Sequence, residues 1–78
     1  MNNFEIKARI QDLRDEDIDA LYDAGCDDAT VSTHGQGNLI VAFAREGDLA
    51  DAVASGIRDV RTALPHAVLE RIDLLPAV

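Results

Sequence analysis

The chain has 78 residues, of which 47% are hydrophobic, and this length and composition are typical of one small domain with a thin core. Its 15 acidic and 7 basic side chains give a formal net charge of −8, which repels phosphate backbones and argues against a general nucleic-acid binder. One cysteine, no signal-peptide pattern and no apolar run near the roughly 20 residues of a membrane span predict a soluble, cytoplasmic chain without a membrane segment.

The first two predicted elements are a strand and a helix. Residues 4–10, "FEIKARI", alternate apolar and polar side chains, which is the period of a strand with one buried face. Residues 15–24 carry acids in the first turn, where they favour the positive end of the helix dipole, and apolar residues at helical spacing. Gly25 predicts the helix end, because glycine readily adopts the left-handed conformation found there.

A hairpin of two strands is predicted next. Residues 28–33, "DATVST", are short and β-branched, and residues 38–44, "NLIVAFA", are apolar on both faces. The "HGQGN" between them has the glycines that a hairpin loop needs where φ becomes positive.

A second helix and a fourth strand complete the predicted elements. Asp48 stands in the position of an N-cap, and an apolar stripe follows at steps of three and four residues until Pro65, so we predict a helix over 48–64. Gly56 interrupts that helix at a cost of about 1 kcal/mol relative to alanine, which indicates a close approach to the sheet or to the other helix. Residues 67–75, "AVLERIDLL", predict the last strand.

The order β-α-β-β-α-β predicts an α+β fold of the ferredoxin-like, split-βαβ type, with residues 1–78 as its single domain. We expect a four-stranded antiparallel sheet in the order 4-1-3-2, with both helices on one face. Of the third strand, either Leu39, Val41 and Phe43 or Ile40, Ala42 and Ala44 must then face away from the helices. An apolar stripe rimmed by Lys7, Arg9 and Arg45 would result, and such stripes commonly form dimer contacts. The predicted interaction surface, for a second copy or a partner protein, comprises Lys7, Arg9, Ile40, Val41 and Ala42.

A metal site is the first chemical alternative. Cys26, Asp27, Asp28 and His34 are possible ligands, but the chain lacks the paired Cys or Cys/His spacing of zinc sites. Cys26 directly after a helix-ending glycine is better explained as the apolar contact of a helix C-cap. A Cys26–His34 nucleophile pair is also disfavoured, because the acidic surroundings raise the pKa of a thiol.

Two further candidates have structural explanations. Gly35-Gln36-Gly37 is too short for a dinucleotide fingerprint and lies between strands, with no following helix to hold a phosphate. His66 follows Pro65 and is expected on the surface of the loop before the last strand. We therefore expect no catalytic residue, no cofactor and no metal.

Other domains with this predicted topology give one functional alternative. RNA-binding versions stack bases on aromatic sheet residues, but this chain has only three aromatic residues. Metal-transfer versions need a paired-cysteine loop after the first strand, where this chain has "QDLRDED". Small-molecule sensor domains of the ACT-like type bind through backbone groups and leave little sequence trace, so this alternative stays open.

Part of the sequence resembles a known family. Asp19 to Gly25, "DALYDAG", followed by Asp27-Asp28-Ala29, is similar to a D-A-L-Y-[ED]-A-G-x-D-D-A motif in the ferredoxin-like N-terminal domain of small bacterial helix-turn-helix proteins. In that family an excisionase-like DNA-binding helix pair follows the last strand. The resemblance covers most of residues 4–75 and does not include the helix-turn-helix, so it implies no direct nucleic-acid binding by this segment.

The sequence thus predicts a non-catalytic regulatory or oligomerisation module that forms a homodimer or binds a partner protein. By its resemblance it would be an accessory domain of a small bacterial transcription regulator or of an antitoxin-type protein. The alternative from another class is the ACT-like small-molecule sensor.

Overall fold

The computed structural model describes residues 2–26, 28–35 and 37–75. In these ranges the chain forms four strands and two helices, which are β1 (Asn2–Arg9), α1 (Asp15–Asp23), β2 (Ala29–His34), β3 (Asn38–Arg45), α2 (Leu49–Ala63) and β4 (Val68–Leu74). The predicted α+β class is confirmed, and the predicted boundaries differ from these by one or two residues.

The four strands form one antiparallel sheet in the order β2-β3-β1-β4. In the centre of the sheet, Ile6 of β1 lies opposite Val41 of β3. Between β1 and β4 the register shifts at Lys7 and Ala8, which places a β-bulge in this pair. The strands β2 and β4 are the two edges of the sheet.

One face of the sheet forms the core together with both helices. Phe4, Ile6 and Val41 are fully buried, and they belong to the same apolar cluster as Leu21 of α1 and Val60 of α2. Burial of each such side chain contributes roughly 1.5–3 kcal/mol. The helices therefore share one face, and the opposite face of the sheet is left to make other contacts.

The two ends of α1 are both set by local hydrogen bonds. At the start, the Arg14 amide donates to Asp17 Oδ2 at 2.9 Å. At the end, Gly25 has φ +113°, its amide donates to the Tyr22 carbonyl, and the Cys26 amide donates to the Leu21 carbonyl at 3.0 Å. This pair of bonds is a Schellman motif, in which an apolar residue after the glycine packs onto the last turn. The predicted roles of Gly25 and Cys26 are confirmed.

The start of α2 and its contact with the sheet also follow the sequence. Asp48 Oδ2 accepts a hydrogen bond from the Asp51 amide at 3.3 Å and so caps the helix. Gly56 lies directly over β1, because a Cβ atom at this position would be 3.0 Å from Phe4 Cε2 and 3.5 Å from Ile6 Cδ1. The predicted close approach of Gly56 is to the sheet.

Among the described residues, neither helix has the length and hydropathy needed to cross a membrane.

Candidate functional site

The face of the sheet that points away from both helices is the candidate site, and we call it the open face. Its side chains come from alternate positions of the four strands, as the pairing of Lys7 with Ile40 and of Glu5 with Ala42 shows. The open face includes Thr30 and Ser32 on β2, Ile40, Ala42 and Ala44 on β3, Glu5, Lys7 and Arg9 on β1, and Arg71 and Asp73 on β4. Glu70 of β4 lies beside this face, with its Oε2 3.9 Å from Arg9 Nη2.

The structure places four of the five predicted surface residues on the open face. Ile40, Ala42 and Lys7 are half-buried there, and Arg9 is exposed. The prediction for the fifth residue, Val41, is wrong, because its side chain has 0% exposure and lies in the core. Side chains of a strand alternate between faces, so Ile40 and Val41 cannot lie on the same one. The outward set of β3 is therefore Ile40, Ala42 and Ala44.

The charges of the open face balance. The two strands β1 and β4 together hold three acids and three bases, in a chain whose formal net charge is −8. Lys7 Nζ lies 3.0 Å from Asp73 Oδ2, and Arg71 Nε lies 3.2 Å from the same atom. The hydrogen bond from Lys7, with a smaller effect of Arg71, holds the pKa of Asp73 below its ordinary value. This half of the open face is thus neutral and ordered by its own ion pairs.

Arg45 was predicted at the rim of the apolar stripe, and this prediction is wrong, because its side chain points to the helix side of the sheet. Its Nε and Nη2 donate to the two carboxylate oxygens of Asp28 at 2.8 and 3.2 Å. Nη2 also lies 2.9 Å from Asp59 Oδ2 and 2.9 Å from the Gly25 carbonyl, and Nη1 donates to Ser55 Oγ at 2.7 Å. One guanidinium group therefore joins the end of β3 to α2 and to the chain segment after α1.

This Arg45 cluster is a structural element that the sequence analysis missed. The side chains of Arg45 and Asp59 are only 13% and 11% exposed. Burial alone lowers the pKa of Arg45, but its hydrogen bonds to Asp28 and Asp59 outweigh that effect and raise it above the usual value. The sequence does contain one sign of this cluster, which is Asp59. It lies three residues after Gly56 on the apolar stripe of α2, where a carboxylate needs a buried cation.

The described members of the possible metal site, Cys26, Asp28 and His34, do not form a metal-binding group. Cys26 is buried in the core, Asp28 binds Arg45, and His34 is exposed on β2. Asp27 lies outside the described residues. Within the part of the chain that the structure describes, no group of three His, Cys, Asp or Glu side chains is placed to hold a metal ion.

The two hairpin glycines have a structural role. Gly35 and Gly37 have φ values of +62° and +79°, as expected for the turn, and Gln36 between them lies outside the described residues. The Gly37 carbonyl accepts a hydrogen bond from the Ile10 amide at 2.8 Å, and a Cβ atom at Gly37 would be 2.7 Å from the Ile10 carbonyl oxygen. Glycine at this position lets the hairpin touch the end of β1. His66 is exposed in the loop before β4, as predicted.

A groove of about 1000 Å³ lies at this end of the sheet. The end of β1, the loop into α1 and the β2–β3 turn line it, with His66 and Val68 from the other side. Its wall combines apolar side chains such as Ile10 with the charged groups Arg14 and Asp15. Its volume is at the upper end of the range of small-molecule pockets, but its wall is more polar than is usual for them.

Comparison of the chain with protein-family models, with curated proteins and with solved structures found no match in any of the three. The resemblance of residues 19–29 to the N-terminal domain of helix-turn-helix proteins therefore stays a hypothesis.

Proposed function

We propose that this chain is a non-catalytic module that associates with a second copy of itself through the open face. We also propose that its fold is the ferredoxin-like split βαβ. Two observations support that topology: the element order β-α-β-β-α-β along the chain, and a sheet in which β1 lies between β3 and β4.

The observation that carries the functional proposal is the difference in charge between the two sides of the domain. The helix α1 has five acids and no base in nine residues, so two copies that approached through α1 would repel one another. The open face is neutral across β1 and β4, and it has the uncharged line of Ile40, Ala42 and Ala44 beside them. Association through this face combines apolar burial with little net repulsion.

The proposed biological role rests on the resemblance of the first helix and second strand. In a small bacterial transcription regulator, a module of this kind would bring two copies of the regulator together. The nucleic-acid contact would belong to another segment, since the strongly acidic charge of this one repels DNA.

Sedimentation of the wild-type chain and of two aspartate variants tests the proposal. We expect a dimer for the wild type at about 100 µM, because this concentration is well above a dimer Kd of about 1 µM. Such a Kd corresponds to a binding free energy of about 8 kcal/mol. Ile40→Asp should give a folded monomer, because it puts a charge into the centre of the contact. Ala54→Asp, on the exposed side of α2, is the matched control and should remain dimeric. A wild type that is monomeric at this concentration contradicts the proposal.

The groove at the end of the sheet favours a second candidate, the small-molecule sensor. A screen of small metabolites by thermal shift tests it. A compound that raises the Tm of the wild type, and whose effect is lost in a variant with a filled groove such as Thr33→Trp, supports this candidate. A screen without such a compound, together with a dimeric wild type, favours the self-association module.

A further inference from the structure

The register of the sheet arranges the open face in two rows that run across the strands. One row holds Thr30, Ala42, Glu5 and Asp73, in the order β2, β3, β1, β4. The next row holds Ser32, Ile40, Lys7 and Arg71 in the same order. The first row ends in two acids and the second in two bases, and we call them the acidic row and the basic row.

The two rows are complementary to each other. On β1 and β4, each acid of the acidic row has a base of the basic row as its counterpart on the same strand, two residues away. On β3, the small side chain of Ala42 has the large side chain of Ile40 as its counterpart. A second copy turned by 180° about an axis that runs across the strands, midway between the rows, therefore places its basic row over the acidic row of the first.

We propose that the open face pairs with that of a second copy in this geometry, about a two-fold axis perpendicular to the strands. This inference rests on the proposed function and specifies its interface. Glu5 then faces Lys7 of the second copy, and Asp73 faces Arg71 of the second copy. Ile40 fits over Ala42 of the second copy, so that a large side chain meets a small one in the apolar half of the contact.

The other two-fold axis in the plane of the contact runs along the strands and gives a poorer match. It would place β2 of one copy over β4 of the other, so that Thr30 and Ser32 would cover the charges of Arg71 and Asp73. Those charges would lose water and gain no further partner of opposite sign beyond the ion pair that they form within their own copy. The axis across the strands keeps charged half on charged half and apolar half on apolar half.

The size of the open face sets the strength expected of this contact. Four strands about 4.8 Å apart and up to eight residues long give a face of about 500 Å² per copy. The pair would bury about 1,000 Å² in total, which is near the lower limit of specific interfaces. We therefore expect a dimer that dissociates in the micromolar range, where single charge changes have measurable effects.

Two charge-reversal variants test the geometry, since each should weaken dimerisation alone and the two should form a heterodimer when mixed. Glu5→Lys makes both rows basic on β1, and Lys7→Glu makes both rows acidic there, so each variant alone faces like charges across the axis. We expect each to raise the dimer Kd at least tenfold, measured by sedimentation. An equimolar mixture should form heterodimers with a Kd close to that of the wild type, because opposite charges then face each other in both halves. Asp19→Lys and Arg61→Glu are exposed controls with the same charge changes, and neither should alter the Kd.

Each outcome decides between the claims. A monomeric wild type contradicts the proposed function itself. A dimeric wild type whose two reversals both leave the Kd unchanged overturns this geometry while the self-association module stands. Monomeric variants that do not combine when mixed also overturn it, because another register or surface must then be used. If Lys7→Glu unfolds through loss of its ion pair with Asp73, the pair Asp73→Lys and Arg71→Glu gives the same test on β4.

Discussion

Replacing Arg45 by methionine should destabilise the domain more than any other single loss of a charge. Arg45 and Asp59 are 13% and 11% exposed, and breaking a buried ion pair by removing one partner costs about 3–5 kcal/mol. Asp28 adds less, because its side chain is 35% exposed and such pairs are worth up to about 1 kcal/mol. We expect a cost of about 3–5 kcal/mol, out of a total stability of about 4–12 kcal/mol for a domain of this size.

Urea unfolding followed by circular dichroism measures this cost, and Arg58→Met is the matched control. Arg58 Nε lies 3.4 Å from the same Asp59 carboxylate, but its side chain is 73% exposed, so its loss should cost less than about 1 kcal/mol. In an Asp59→Asn background, Arg45→Met should cost about 2 kcal/mol less than in the wild type. The reasoning would be refuted if Arg45→Met and Arg58→Met had equal costs, or if Arg45→Met cost the same in the Asp59→Asn background as in the wild type.

Three further predictions follow from individual residues. Gly56→Leu should lower the free energy of unfolding by about 1–3 kcal/mol, because the new side chain meets the aromatic ring under α2, and a rise in that energy would contradict the packing. Cys26→Ala should lower the free energy of unfolding by only about 1 kcal/mol, and both the wild type and this variant should have negligible affinity for zinc. Stoichiometric zinc binding by the wild type that is lost in Cys26→Ala and in His34→Ala would contradict the structural role of Cys26. Lys7→Met should raise the pKa of Asp73 in an NMR titration. In the wild type that pKa is depressed, so the pair's stabilisation is present above about pH 4 and disappears as the pH falls through the folded pKa, and an unchanged pKa in the variant would refute this.

The sequence predicted the elements well because each has a local signal. Period-two alternation marked β1, and the glycine at position 25 marked the end of α1. The apolar stripe with its capping aspartate gave α2 to within one residue at each end. These signals act within a few residues of the chain, so they can be recognised without knowledge of the tertiary contacts.

The direction in which β3 faces could not be obtained in the same way. Residues 38–44 are apolar on both sides, so periodicity leaves the choice between Ile40 and Val41 open. The choice is made by the core, where Val41 lies opposite Ile6. Any sequence with an apolar strand of this kind leaves its outward set undetermined until the partner strand is known.

The predicted position of Arg45 was wrong for a related reason. An arginine at the end of a strand beside an exposed stripe is ordinarily a surface residue. Here its partners come from positions 28 and 59, and only the fold brings them within hydrogen-bonding distance. Asp59 on an apolar helix face was the one local sign that a buried cation had to exist.

An NMR dilution series tests the central claim, that the open face is the surface of self-association, most directly. Amide shifts of the ¹⁵N-labelled wild type would be followed from about 10 µM to about 1 mM, the range in which an interface near the lower size limit dissociates. The account predicts that the amides of Glu5, Lys7, Ile40 and Ala42 shift along one common binding curve, while those of the exposed side of α1 stay constant. Constant shifts on the open face, or changes confined to α1 or to the β2 edge, would contradict it.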